Sequence, residues 1–327
     1  ACPPMEKGLT RKAELLRGGD VCIPEGLELP DLIPGFNGNP DTAVLSFDGF
    51  RAKKRIVHGN GEFELRPKDG GYELLRSGEP FLPEVGILRV PHSCPEQAVF
   101  NLLPSRHDCF SDGPLTTGSV MEMLDEAMTR GKVKSVAFSG GGSDEEISRL
   151  ADAISAVRET FPKMTIGVEP MLNDAAQIGI LREAGVNEIK INVKYIRRDT
   201  AALLEPDTDY DFAFDMLRAS TDYFKKGKMA STIYYGLGET DQDVDMMLEK
   251  LCRMNVLPIL RMFRFDDSNR SRIEAAGIPT EPPSLLRTMF LAGLQKNAMA
   301  RHGLNPDRFH TTCFQCECCD LVPFHDF

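Results

Sequence analysis

The sequence predicts an α/β fold: a partial (β/α)6 TIM-like barrel with a small antiparallel β region before it and a Cys-rich tail after it. Three observations predict this. From about residue 95, short apolar runs alternate with longer helical patterns, which implies βαβ units and a parallel sheet. Between residues 41 and 92, shorter and partly alternating runs are separated by "GNG" and "KDGG", the turn signals of an antiparallel sheet. Beyond residue 303, four of the nine cysteines fall within seven residues.

Taken in order, residues 1–40 are rich in Pro and Gly after a short amphipathic start ("RKAELLRGG") and are expected to form an arm that wraps another surface. Residues 41–92, with "AVLSF", "AKKRIVH", "EFELR" and "YELLR", form the small β region. Residues 93–303 form the partial barrel. Its strands are expected at "QAVFNLL" (97–103), "VKSVAFS" (133–139), "MTIGVEP" (164–170), "EIKINVK" (188–194), "ASTIYYG" (230–236) and "LPILRMF" (257–263), with a helix after each. Six units are too few for the common eight-unit barrel and suit an open one. Ser143 followed by "DEE" is an N-cap with acids in the first turn, and Asn173 or Asp174 caps the next helix. Residues 304–327 form the tail.

Composition narrows the partners. The 327 residues are 42% hydrophobic and carry a formal charge of -11, so neither nucleic acid nor an anionic membrane surface is expected as the main partner. No run approaches the roughly 18 apolar residues of a membrane span, and "ACPPMEKGLTRKAELL" has no apolar signal-peptide core. A cytoplasmic location is expected, where nine cysteines are thiols or metal ligands rather than disulfides.

In parallel β/α folds the ligand lies outside the carboxyl ends of the strands. Strand 1 leads into "NLLPSRHDCFSDGP", with Cys109, His107 and Asp112. Strand 2 leads into Gly140, Gly141 and Gly142, whose backbone a ligand can approach closely at the start of the helix opened by Ser143. The remaining strand ends offer Glu169; Asn192 and Lys194; Tyr234, Tyr235 and the Gly236–Glu239 turn; and Arg264. In the tail, Cys313, Cys316, Cys318 and Cys319 lie in a stretch rich in Gln, Glu and Asp that is not expected to bury four small apolar side chains together. Thiolates this close call for a cation, either zinc or an iron–sulfur cluster, with His310, His325 or Asp320 as substitute ligands.

Together with "YYGLGETDQDVDMMLEKL" and "NDAAQIGILREAGVNEIKINVKYI", these motifs resemble the radical S-adenosylmethionine (SAM) superfamily, most closely its biotin synthase-related branch, over roughly residues 90 to 270. The resemblance implies a C-x3-C-x2-C loop after strand 1 whose thiolates hold a [4Fe–4S] cluster, with SAM on the fourth iron. Two registers exist here. One places Cys94, Ala98 and Asn101 in the three positions, inside an expected strand. The other places Ser105, Cys109 and Asp112 in the loop itself, and is preferred; Asp112 and His107 then join Cys109 as donors. The resemblance further implies that the glycine triplet meets the amino group of SAM, with Asp144 or Glu145 as the accompanying acid. Glu169, Asn192, Gly236 and Glu239 would line the rest, and the tail cysteines would hold an auxiliary cluster.

Two readings follow from it: radical chemistry or sulfur insertion on a small-molecule or protein-bound substrate, or a non-catalytic relative acting as metallocluster carrier, assembly scaffold or partner subunit. A third is unrelated barrel chemistry with Glu169, Lys194 and Tyr235 as acid and base groups, Lys194 being the candidate for a Schiff base.

Overall fold

The computed structural model describes residues 4–35, 38–103, 108, 110–111, 113–266 and 268–327. The chain opens with α1 (Pro4–Arg17) and β1 (Val21–Ile23). There follow β2 (Thr42–Phe47), β3 (Phe50–His58), β4 (Phe63–Lys68), β5 (Gly71–Arg76) and β6 (Glu79–Ile87). These strands close into a barrel in the order β1-β3-β2-β6-β5-β4, because β1 pairs parallel with both β3 and β4. The antiparallel sheet read from the sequence is thus present but closed; β1, from the segment expected as an arm, is one of its strands, and α1 packs on it through Leu9, Ala13 and Leu16. Alternation along β3 turns Phe50, Ala52, Lys54 and Ile56 inward, against Leu45, Phe63, Leu65 and Leu74.

The second lobe begins with β7 (Ser93–Cys94) and β8 (Gln97–Asn101), then α2 (Thr117–Arg130), β9 (Ser135–Gly141), α3 (Asp144–Thr160), β10 (Thr165–Met171) and α4 (Ala176–Ala184). It continues with β11 (Glu188–Lys190), β12 (Lys194–Tyr195), α5 (Arg198–Leu204), α6 (Phe212–Ser220), β13 (Met229–Tyr235), α7 (Asp241–Arg253) and β14 (Val256–Met262). The final elements are α8 (Arg270–Ala275), α9 (Leu285–Arg301) and α10 (Thr312–Cys316). Its curled sheet is parallel from β8 to β14, with only β7 antiparallel. This is the partial barrel. Outward residues such as Phe138, Ile166 and Val168 pack under Leu150, Ile154 and Leu248 of the covering helices. Ser143 caps α3 as expected, accepting from Glu146 N at 3.2 Å, and Asp174 accepts from Ala176 N at 2.7 Å.

One expected strand, 188–194, is divided into β11 and β12. Both pair with β13, at its two ends, and between them the Asn192 side chain takes the Thr232 N–H at 3.0 Å in place of a backbone carbonyl.

The tail is part of the core. Gly167 leaves room for Thr311, whose Oγ1 would lie 2.2 Å from a Cβ there. Buried Glu188 accepts from His310 N and Thr311 Oγ1, each at 2.9 Å, and Gln97 brackets Thr312 with bonds of 2.8 and 2.9 Å. Farther on, Lys53 N donates to Cys318 O at 2.7 Å, tying the tail to β3 of the small barrel. No helix among the described residues is long and apolar enough to cross a membrane.

Candidate functional site

The β9–α3 turn has Gly141 at φ +107° and Gly142 at φ +117°, and a Cβ on Gly141 would fall 2.4 Å from Met171 O. Only glycine meets both demands. The turn opens one wall of a cavity of about 730 Å3 at the C-terminal ends of β8 to β12, lined by Asn101, Ser139, Gly140, Gly142, Glu169 and Asn192 among others. Glu169 accepts from Lys190 Nζ at 2.9 Å and from Asn192 Nδ2. Burial disfavours its charge, but Lys190 and these bonds outweigh that and hold its carboxyl below the usual range. Lys190 is itself only 5% exposed. The arrangement presents a fixed carboxylate beside a turn that carries no side chains.

Of the residues expected here, Gly140, Gly142, Glu169 and Asn192 line this cavity, and Gly141 shapes the turn behind it. Glu145 is exposed on α3, and Asp144 is engaged by Gln177 Nε2 at 2.8 Å. Gly236 and Glu239 are not among its lining. The buried Glu239 carboxylate closes its own turn, accepting from Gly236 N and Leu237 N at 2.8 Å each, and pairs with Arg287 at 3.1 Å.

Ser105, His107, Cys109 and Asp112 lie outside the described residues. Beside them, Asp108 is buried with Oδ1 3.2 Å from Nε2 of His92, whose ring packs between Phe100 and Phe110 at 4.5 and 4.6 Å. Nothing in the sequence singles out His92.

The tail corrects the expectation that its thiols lie apart from the core. Cys316 and Cys318 are buried, packing with Ile33, Val44 and Val90, because the tail is held between the two lobes. Their sulfurs are 3.6 Å apart, and Cys94 of β7 is hydrogen-bonded to Cys316, which lowers its pKa. Lys53, Lys190 and Arg261 surround these thiols. Arg261 donates to Cys313 Sγ at 3.1 Å and holds Asp320 at 2.5 Å. Burial opposes the charge of Lys53, and the field of Cys94, Cys319, Cys318 and Cys316 overcomes it and raises its pKa. Among the described residues, no three His, Cys, Asp or Glu side chains stand in position to hold a metal ion. His325 is engaged by Asp307 and Glu317, each at 2.7 Å.

Sequence reasoning placed Cys94 in the register that was not preferred, apart from the tail thiols, and gave Lys190 and Arg261 no role, since each meets its partners only through the fold. Lys194, the candidate for a Schiff base, is bound by both oxygens of Glu205 at 2.8 and 2.9 Å. Tyr235 has its hydroxyl pushed up to about 12, chiefly by burial. That places the Tyr235 hydroxyl out of reach for proton transfer near neutral pH.

Among curated proteins no match was found. Solved structures include coproporphyrinogen III oxidase from Escherichia coli, a radical SAM enzyme, at 16% identity and TM-score 0.43, over 65% of this chain and 54% of that one. A maturase of the [FeFe]-hydrogenase gives 13% identity and TM-score 0.40, over 63% and 55%. The chain thus spans little more than half the length of either. Residues 104–251, from the loop after β8 into α7, match the family model of the Radical SAM superfamily, and the relationship attaches to that stretch.

Proposed function

We propose that the chain is an iron–sulfur protein of the radical SAM type, with SAM in the cavity at the ends of β8 to β12 and a small-molecule or carrier-bound substrate beside it. The observation that carries this is the convergence of Gly140, Gly142, Glu169 and Asn192, from three strands, on one cavity within the matched stretch. The cavity suits SAM chemically: the Glu169 carboxylate offers an acceptor to an ammonium group, Asn192 holds that carboxylate in place, and Gly140 and Gly142 put no side chain in the way. When bound, a reduced [4Fe–4S] cluster and SAM supply hydrogen-atom abstraction. Cys109 is the thiolate assigned to that cluster, with Asp112 and His107 as its other donors, and the family match opens at residue 104, at the start of that loop. The order of motifs along the strands supports the biotin synthase-related branch.

What supports a second cluster in the tail is the donor set: Cys94, Cys313, Cys316, Cys318 and Cys319 gather among three cations. Their present spacing does not form a ligand set, and no step is assigned to it. One observation favours a non-catalytic relative instead: Ser105 and Asp112 stand where the family has thiolates.

The test is iron and sulfide content after anaerobic reconstitution, with EPR before and after SAM is added. A SAM-perturbed signal that disappears in Cys109→Ala is the expected result. Iron that is lost in Cys316→Ala, retained in Cys109→Ala and indifferent to SAM would mean that only the tail binds metal and that the barrel serves another purpose.

A further inference from the structure

A second cavity, of about 460 Å3, lies where the ends of β13 and β14 meet β3 of the small barrel and the tail. Its walls are of two kinds. Tyr234, Phe263, Leu260 and Ala292 make an apolar face, on which the Tyr234 and Phe263 rings meet edge to face at 5.6 Å. The other face is cationic: Lys53, Lys54, Arg55, Arg261 and Arg264 line the cavity against one carboxylate, Asp320. In a chain of net charge -11 this is a marked local inversion.

The partners of these cations show where charge is left over. Arg261 is neutralised by Asp320 and Arg55 by Asp20, at 2.5 and 2.7 Å. Lys54 Nζ is spent on Leu15 O and Gly18 O, carbonyls that carry no charge, whereas Lys53, bonded to Ser93 O, already faces the tail thiols. Arg264 has no ion-pair partner among the described residues. The same excess registers on Lys54, whose pKa falls to about 7, first through burial and then through Arg264. Arg264 is exposed at the mouth of the cavity, and an excess positive field there favours an anion.

We infer that this cavity binds a small organic molecule with an apolar, ring-sized body against Tyr234 and Phe263 and an oxyanion head on Arg264. A volume of this size is in the range of ordinary metabolite pockets. Tyr234 also lies 6.3 Å, ring to ring, from Tyr195, which lines the upper cavity, so the two cavities share a wall of paired tyrosines. That the occupant is the substrate of the SAM-dependent reaction rests on the function proposed above; that it binds does not.

The test is calorimetric titration of the full chain, without SAM, using benzoate, phenyl phosphate, neutral benzamide and inorganic phosphate. At least one aryl anion should bind at least tenfold tighter than benzamide and than inorganic phosphate. Preference between benzoate and phenyl phosphate then distinguishes a carboxylate from a phosphate head. Arg264→Gln should weaken the aryl anion about tenfold, the scale of one charge-assisted contact. Ala292→Phe, which fills the cavity, should abolish binding. Equal binding of benzamide, equal binding of inorganic phosphate, unchanged affinity in a folded Arg264→Gln, or no binding of either aryl anion would overturn the inference. None of these outcomes depends on the iron content or on the response to SAM.

Discussion

Glu169 was visible as the polar residue at a strand end, where parallel β/α folds place ligands. What the sequence could not display is its dependence on Lys190, an ammonium 5% exposed that has Glu169 as its carboxylate at 2.9 Å. Two consequences follow from Glu169→Gln. The charge on Lys190 loses its counterion, which costs about 1–3 kcal/mol, less than for a fully buried pair because the carboxylate faces the cavity. The cavity also loses its acceptor for a cationic group, so SAM affinity measured by equilibrium dialysis should fall by at least tenfold, whereas Glu145→Gln on the exposed face of α3 should leave it unchanged. Equal affinities for the two variants would remove Glu169 from the site. Lys190, Arg261 and the place of Cys94 beside the tail thiols escaped notice for one reason: their partners are far away in sequence, and only the closed fold brings them together.

At the scale of elements, periodicity and capping chemistry were legible wherever one rule acted alone. The N-cap at Ser143 and the glycine turn before it are local devices, and each is found where the sequence places it. The break between β11 and β12 was not legible, because an Asn side chain that substitutes for a backbone acceptor leaves the apolar pattern "EIKINVK" intact. The β9–α3 turn gives a sharp expectation of its own. Gly141→Ala forces a side chain into φ +107° with its Cβ 2.4 Å from a backbone oxygen, a strain that costs about 1–3 kcal/mol before any shift of the chain. Gly118→Ala, on α2 with only a Thr116 Oγ1 contact at 3.9 Å, should be neutral or slightly stabilising. Urea unfolding of the two variants compares them directly, and similar midpoints would mean that the turn can relax.

Across the whole molecule, the segments that look loose in sequence are held by long-range contacts. The Pro- and Gly-rich start supplies α1 and a barrel strand, and the thiol-rich tail fills the space between the lobes. Their meeting point is a single lysine. Lys12 Nζ is fully buried and donates to Asp326 Oδ2 at 2.6 Å and to Glu317 O at 2.7 Å, so α1 and the tail are joined by an ion pair that water does not reach. Removing one partner of such a pair is costlier than removing both, since the remaining charge stays desolvated. Lys12→Met should therefore destabilise the chain by about 3–5 kcal/mol, followed by far-UV circular dichroism because the chain has no tryptophan. Adding Asp326→Asn removes the stranded charge while keeping an acceptor for Val322 N, which donates to Asp326 Oδ2 at 2.7 Å, and should restore more than half of the loss. A double variant no more stable than Lys12→Met would place the cost in the bond to Glu317 O instead, and the link between α1 and the tail would then be one of backbone geometry rather than of charge.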